Sequence, residues 1–262
     1  MISYVKVRYE DRSRGRIAFV AVDRQDKLNS LSSEVMGELT ALFKGLAADL
    51  HLRAVVLTGA GDKAFSGGAN IDEMSVIASP EEGRAFIELI HGVCKAIRAL
   101  PVPVIARING YCLGAGLEIA AACDLRLASD TALFGMPEVK LGLPSVVEAA
   151  LLPSLIGWGR ARRILYTGEL FDADVAIDWG LVEEVHPPAL LDAAVEDLLD
   201  SLIDAEPRAV QLQKQLMQRW EELPMSQAIQ AGVDAFEDAW TTAEPSHAMA
   251  AYLKGRRARK SG

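Results

Sequence analysis

Along its first half the chain switches repeatedly between two hydrophobic periods. Residues 16–22 and 53–58 are short apolar runs flanked by charge, and each predicts a strand. Between them Val35, Met36, Leu39, Leu42, Phe43 and Leu46 recur at helical spacing, which predicts a helix over 32–50. Ser32 and Ser33 are available to cap it, and Glu34 follows in the first turn. A second helix is predicted over 80–100 and a strand over 102–107. A glycine-rich turn, a helix over 115–123 and a strand over 125–128 follow. Alternation at this spacing favours an α/β architecture with crossover connections.

Beyond about residue 145 the strand signals fade, and 145–155, 160–167, 173–179, 190–205, 208–222 and 225–241 all read as helices. Leu191, Val195, Leu198 and Leu202 form one apolar stripe, widened by Leu199 and Ile203. Such a stripe exceeds what a thin helical layer buries, so it predicts self-association. No linker rich in proline, glycine or serine separates the two halves.

Half of the 262 residues are hydrophobic and 24% are charged, enough for a large core beneath a polar surface. A net charge of −9 argues against general nucleic-acid binding. The helix over 32–50 carries only Lys44 as a base, so no RNA-binding face is expected there. No apolar run is long enough for a membrane span, and the N-terminus lacks the basic and apolar blocks of a secretory signal. Cys94, Cys112 and Cys123 are odd in number and not at metal-ligand spacing, which suggests buried thiols in a reducing, cytoplasmic compartment. His51, His91, His186 and His247 are scattered, and read as surface or packed residues. The basic stretch 254–260 reads as a solvated tail.

Two segments place glycines beside a helix start: 64–74, with Gly67 and Gly68, and 109–118, with Gly110, Gly114 and Gly116. Amides exposed at helix starts can converge on one oxygen and stabilise developing negative charge. Ordinary tight turns use the same residues, so neither segment is decisive alone. The stretch 58–64 imitates a dinucleotide-binding glycine pattern, but Gly67 and Gly68 break the helix that this pattern requires, and no second strand follows. Glu118 opens a small apolar run and would either pair or shift upward in pKa. Glu138 stands twenty residues further on, just past a strand-like segment. Two such carboxylates can act as acid and base, or be ordinary salt-bridged residues. Asp124 reads as a structural hydrogen-bonding residue.

Taken in order, these segments resemble the crotonase (enoyl-CoA hydratase/isomerase) superfamily over nearly the whole chain. Residues 23–31 resemble its coenzyme A-contacting stretch, 63–71 its F-x-x-G-A-D-[IL] motif, and 103–124 its most diagnostic block. Residues 134–142 and 167–182 continue the likeness. The resemblance implies a spiral of ββα units over 1–195 and a helical trimerisation region over 196–262. It implies an oxyanion hole from the amides of Ala69 and Ala115. It matches Glu118 and Glu138 to the two glutamates of the hydratases, and assigns substrate contacts to Lys27, Leu28, Ala64, Gly67, Gly68, Ile71, Gly114 and Pro137. The implied reaction is hydration of a 2-enoyl-CoA, with isomerisation or thioester hydrolysis as alternatives. The implied partners are an acyl-coenzyme A and further copies of the chain, as a trimer or a dimer of trimers. Coenzyme A arrives with the substrate, and neither a metal nor a resident cofactor is implied.

Three departures stand out. Asn70 replaces the motif's aspartate, which alters a local hydrogen bond and not the backbone donor. The usual P-G-x-G-G loop is replaced by Leu143, Pro144, Ser145, Val146, Val147 and Glu148 and is one residue shorter. That loop borders the acyl pocket, so Glu148 is either a helix-start carboxylate or a polar substrate contact. The C-terminal F-x-E-K-R pattern appears as Tyr252, Leu253, Lys254, Gly255, Arg256 and Arg257, which leaves the coenzyme-contacting base unassigned.

Overall fold

The structure, a computed structural model, describes residues 3–258. Two compact units divide at Leu199/Asp200.

In the first unit β1 (Val5–Arg12) and β2 (Gly15–Val22) form an antiparallel hairpin. Then follow α1 (Ser33–Leu46), β3 (Leu52–Gly59), β4 (Ala64–Ser66), α2 (Ile71–Met74) and α3 (Pro80–Arg98). Next come β5 (Val104–Ile108), β6 (Tyr111–Leu113), α4 (Ala115–Ala122), β7 (Leu125–Ser129) and β8 (Leu133–Gly135). The unit continues with α5 (Leu152–Ile156), α6 (Trp158–Thr167), β9 (Leu170–Asp172), α7 (Ala173–Trp179), β10 (Glu184–His186) and the first turns of α8 (Pro188–Asp204). One sheet has the order β1-β2-β3-β5-β7-β10 and the other β4-β6-β8-β9. Each turn of the chain therefore lays one strand in the large sheet and the next in the small sheet, and the turns of β3–β4 and β5–β6 each return through helix. This is the expected spiral of ββα units. Repetition of one crossover makes most neighbours parallel, so β3 and β5 are buried on both faces and read as unbroken apolar runs.

Four sequence expectations need correction. The strand signal does not end at residue 145, because β9 pairs with β8 and β10 with β7. Three-residue strands are too short to show a period and are held by pairing alone. The segment 145–155 is not one helix: a 3-10 turn at Val147–Leu151 leads into α5, where Pro153 in the first turn supplies no N–H. The basic tail continues a helix, α11 (Glu244–Ala258), as far as it is described; Arg259 and Lys260 lie outside the described residues. Lastly, Leu191, Val195, Leu199 and Ile203 are already buried within one chain. Ion pairs Arg107–Asp192 and Arg12–Glu196, both at 2.5 Å, tie α8 to β5 and β1. That stripe is not spare for a second subunit.

The second unit contains α9 (Pro207–Glu222), α10 (Met225–Ala239) and α11. Trp220 Nε1 donates to the Ala228 carbonyl at 2.8 Å, and the Glu244 carboxylate accepts from the amides of Arg208 and Ala209 at the start of α9. Met225, Ile229, Val233, Phe236 and Trp240, one stripe of α10, are 48–77% exposed. Among the described residues no helix is long and apolar enough to cross a membrane. Cys94, Cys112 and Cys123 are buried free thiols.

Candidate active site

Two parallel strands of the small sheet, β4 and β6, deliver the two glycine turns side by side. After β4 the backbone is pinned on both sides of Ala69: Leu31 N donates to Gly68 O at 2.9 Å and Asn70 N to Leu31 O at 3.0 Å. Asn70 Oδ1 accepts from the Asp72 amide at 2.9 Å and so caps α2. The missing aspartate thus changes a cap and leaves the turn intact. After β6, Gly114 adopts φ 51°, and its carbonyl accepts from the amides of Leu117 and Glu118. α4 begins at the next residue, so the Ala115 amide has no intrahelical acceptor. Neither the Ala69 nor the Ala115 N–H has a protein acceptor. A Cβ on Gly68, where φ is +99°, would sit 2.9 Å from the Leu113 carbonyl oxygen and 3.8 Å from the Ala115 nitrogen. Glycine at position 68 is therefore what allows the two amide-bearing turns to touch.

The two glutamates close the same pocket. Glu118 lies one turn into α4 and is only 3% exposed. Burial, followed by the charges of Glu138 and Glu148, pushes its pKa from 4.5 up to about 8, against the opposing pull of the Ala149 and Val146 amides. Glu138 enters from the 3-10 turn Pro137–Leu141 after β8, and its Oε2 accepts from Ser145 Oγ at 2.7 Å. Its Oε1 stands 2.5 Å from where a Cβ of Gly114 would be. The pocket gathers Gly67, Gly68, Ala69 and Ile71 from the first turn, and Gly114, Ala115 and Glu118 from the second. Pro137 and Glu138 complete the expected set, while Met74, Ile87, Ile90, Leu143 and Val146 make the remaining wall apolar.

Lys27, Leu28 and Ala64 are not in that pocket. Leu28 and Ala64 line an adjoining groove with Asp62 and Lys63, and Lys27 Nζ pairs with Asp72 at 3.0 Å. Leu28 joins groove to pocket, because its carbonyl accepts from the Gly67 amide at 2.8 Å. The side chains of Asn29 and Asn109 both donate to the Ala64 carbonyl, holding that groove's backbone in place. The dinucleotide-like stretch is an irregular turn with Gly61 at φ 76° and no helix. Asp124 accepts from the Val104 amide at 2.7 Å, a structural role. Among the described residues no cluster of potential metal ligands occurs.

Sequence reasoning missed two contacts. Ser145 read as helix, yet it lies in the loop that holds Glu138. His91 read as a lone histidine, yet its Nδ1 is 2.8 Å from Glu148 Oε1. Only the replaced glycine loop hinted at either.

The sequence profile described as enoyl-CoA hydratase/isomerase matches residues 12–260. The short-chain-enoyl-CoA hydratase of Clostridium acetobutylicum is 36% identical over 244 residues, covering 93% of each chain. The crotonyl-CoA hydratase of Syntrophomonas wolfei is 33% identical over 244 residues, covering 93% of this chain and 94% of its own. The crystal structure of an enoyl-CoA hydratase from Bacillus anthracis superposes with a TM-score of 0.90 at 30% identity, covering 97% of each chain. The spiral, the paired turns and these similarities agree: the chain belongs to the enoyl-CoA hydratase/isomerase family.

Proposed function

We propose that the protein hydrates a 2-enoyl-CoA thioester to the 3-hydroxyacyl-CoA. The observation that carries this reading is the meeting of two unengaged amides and two glutamates at one largely apolar pocket. The amides of Ala69 and Ala115 grip the thioester oxygen and draw electron density from the double bond, so that Cβ becomes electrophilic. Glu118 takes a proton from water as its oxygen bonds to Cβ, and Glu138 gives a proton to Cα. One proton enters the pair and one leaves. The addition is redox-neutral, and coenzyme A comes with the substrate. The groove at Leu28 and Ala64, with Lys27 at its edge, suits the coenzyme portion, while the wall of Met74, Ile87 and Ile90 suits the acyl chain.

Similarity to a short-chain and a crotonyl-CoA hydratase supports the reaction. The apolar stripe of α10 supports self-association as a trimer or a dimer of trimers, and the buried free thiols fit a reducing, cytoplasmic setting. The test is turnover on a panel of short, long, branched and aromatic 2-enoyl-CoAs, with 3-enoyl-CoAs and saturated acyl-CoAs beside them. Hydration is expected for at least one 2-enoyl-CoA. Only double-bond migration, or only thioester hydrolysis, would overturn the reading.

A further inference from the structure

Behind the pair stands a third carboxylate. Glu148 lies in the 3-10 turn Val147–Leu151, which packs against α4, α3 and α5, and only 8% of it is exposed. Its Oε1 is 2.8 Å from His91 Nδ1 on α3, whereas its Oε2 is buried without a hydrogen-bond partner. Such a group opposes folding, because a buried charge needs partners to replace its water. The neighbouring backbone opposes it too. Val147 has φ 40°, a conformation that a β-branched residue rarely adopts. Strain and an unsatisfied carboxylate on adjacent residues persist only where the surroundings enforce them, and such features cluster at functional sites. Two residues earlier in the same segment, Ser145 holds Glu138.

We propose that Glu148, held by His91, is a positioning residue for the reaction: from behind α4 its carboxylate acts on Glu118 and keeps a proton there. The electrostatics run in that direction, since Glu148 adds to burial and Glu138 in pushing Glu118 up, and also raises the neighbouring Cys94 thiol. The titratable groups facing Glu148 are His91 and Cys94 from α3, Glu118 from α4 and Glu138 from the turn after β8. α5 carries no ionisable side chain. Glu148 does not line the pocket, so it acts through Glu118 and not on substrate.

The inference rests on the hydration reading, and two readouts separate their failures. Glu148→Gln keeps the shape and removes the charge. The rising limb of kcat/KM against pH should then move down by about one unit, as expected when a like charge is withdrawn, and Glu148→Asp should restore it. A folded Glu148→Gln protein with an unmoved limb overturns the proposal. Should Glu148→Gln not fold, His91→Leu at the exposed end of the pair carries the test. Unpaired, Glu148 takes up a proton and the limb again moves down; an unmoved limb overturns the proposal. The second readout needs no turnover: the melting temperature of Glu118→Gln minus that of wild type, followed against pH with and without Glu148→Gln. The pH at which Glu118→Gln gains its advantage should fall when Glu148 is replaced, and an unchanged value overturns the proposal. A wild-type enzyme without hydratase activity would defeat the hydration reading and leave this second readout standing.

Discussion

Glu118 has exchanged nearly all its water for apolar neighbours and two like charges, and its protonation follows from that exchange. Below about pH 8 it holds a proton, so water activation draws on the ionised fraction, and hydration should rise with pH up to about 8. A flat profile between pH 6 and pH 8, with chemistry rate-limiting, would exclude Glu118 as the base. The same shift governs stability. A carboxyl whose folded pKa exceeds its unfolded 4.5 contributes stability fully below about 4.5 and loses it as pH rises through about 8. Glu118→Gln should therefore melt higher than wild type at pH 8, and the advantage should shrink at pH 5; calorimetry at the two pH values decides. Catalysis moves the other way. Glu118→Gln and Glu138→Gln should each lower turnover by at least about a hundredfold, the scale of lost general acid–base catalysis. Affinity for a saturated acyl-CoA should stay nearly unchanged, and near-normal hydration by either variant would remove that residue from the mechanism.

At the scale of elements, the N-terminus of α4 joins oxyanion donor and base. Gly114 supplies the positive φ, Ala115 the free amide and Glu118 the carboxylate one turn on, so a single helix start aims both groups. Ala115 is the first helical residue, a position where proline is tolerated and its missing N–H disturbs no helical hydrogen bond. Ala115→Pro should thus fold with nearly unchanged melting while turnover falls on the order of a hundred- to a thousandfold, the loss typical of one oxyanion donor. A folded variant with normal turnover would sink that assignment. Gly114→Ala differs in kind, because its Cβ would meet Glu138 Oε1 at 2.5 Å and must displace that side chain.

The whole molecule divides its labour between a spiral that builds the pocket and a helical unit with an apolar surface. On α10, Ile229, Val233 and Phe236 are each more than half exposed and share one face. An aqueous monomer gains nothing by leaving so regular a stripe in water. Sedimentation at micromolar concentration should show an oligomer, and the double change Ile229→Glu with Phe236→Glu should shift it toward monomer. A wild-type monomer would contradict self-association through this face.

Much of the spiral was legible because its long strands and helices each carry their own period: 80–100 and 115–123 lie within two residues of α3 and α4. The glycine turns and both glutamates were legible as well, since turn chemistry is local and ordered motifs reinforce one another. Four things belonged to tertiary structure alone. The three-residue strands β9 and β10 exist only by pairing. The stripe on α8 looked spare until the fold covered it, while that on α10 stayed bare; amphipathic period is the same in both, and only packing tells them apart. The proton on Glu118 depends on Glu138 and Glu148, twenty and thirty residues away in sequence. His91 and Glu148, fifty-seven positions apart, meet only because α3 packs beside the strained turn at Val147. A sequence displays the period and chemistry of neighbours along the chain; desolvation and charge coupling depend on neighbours in space.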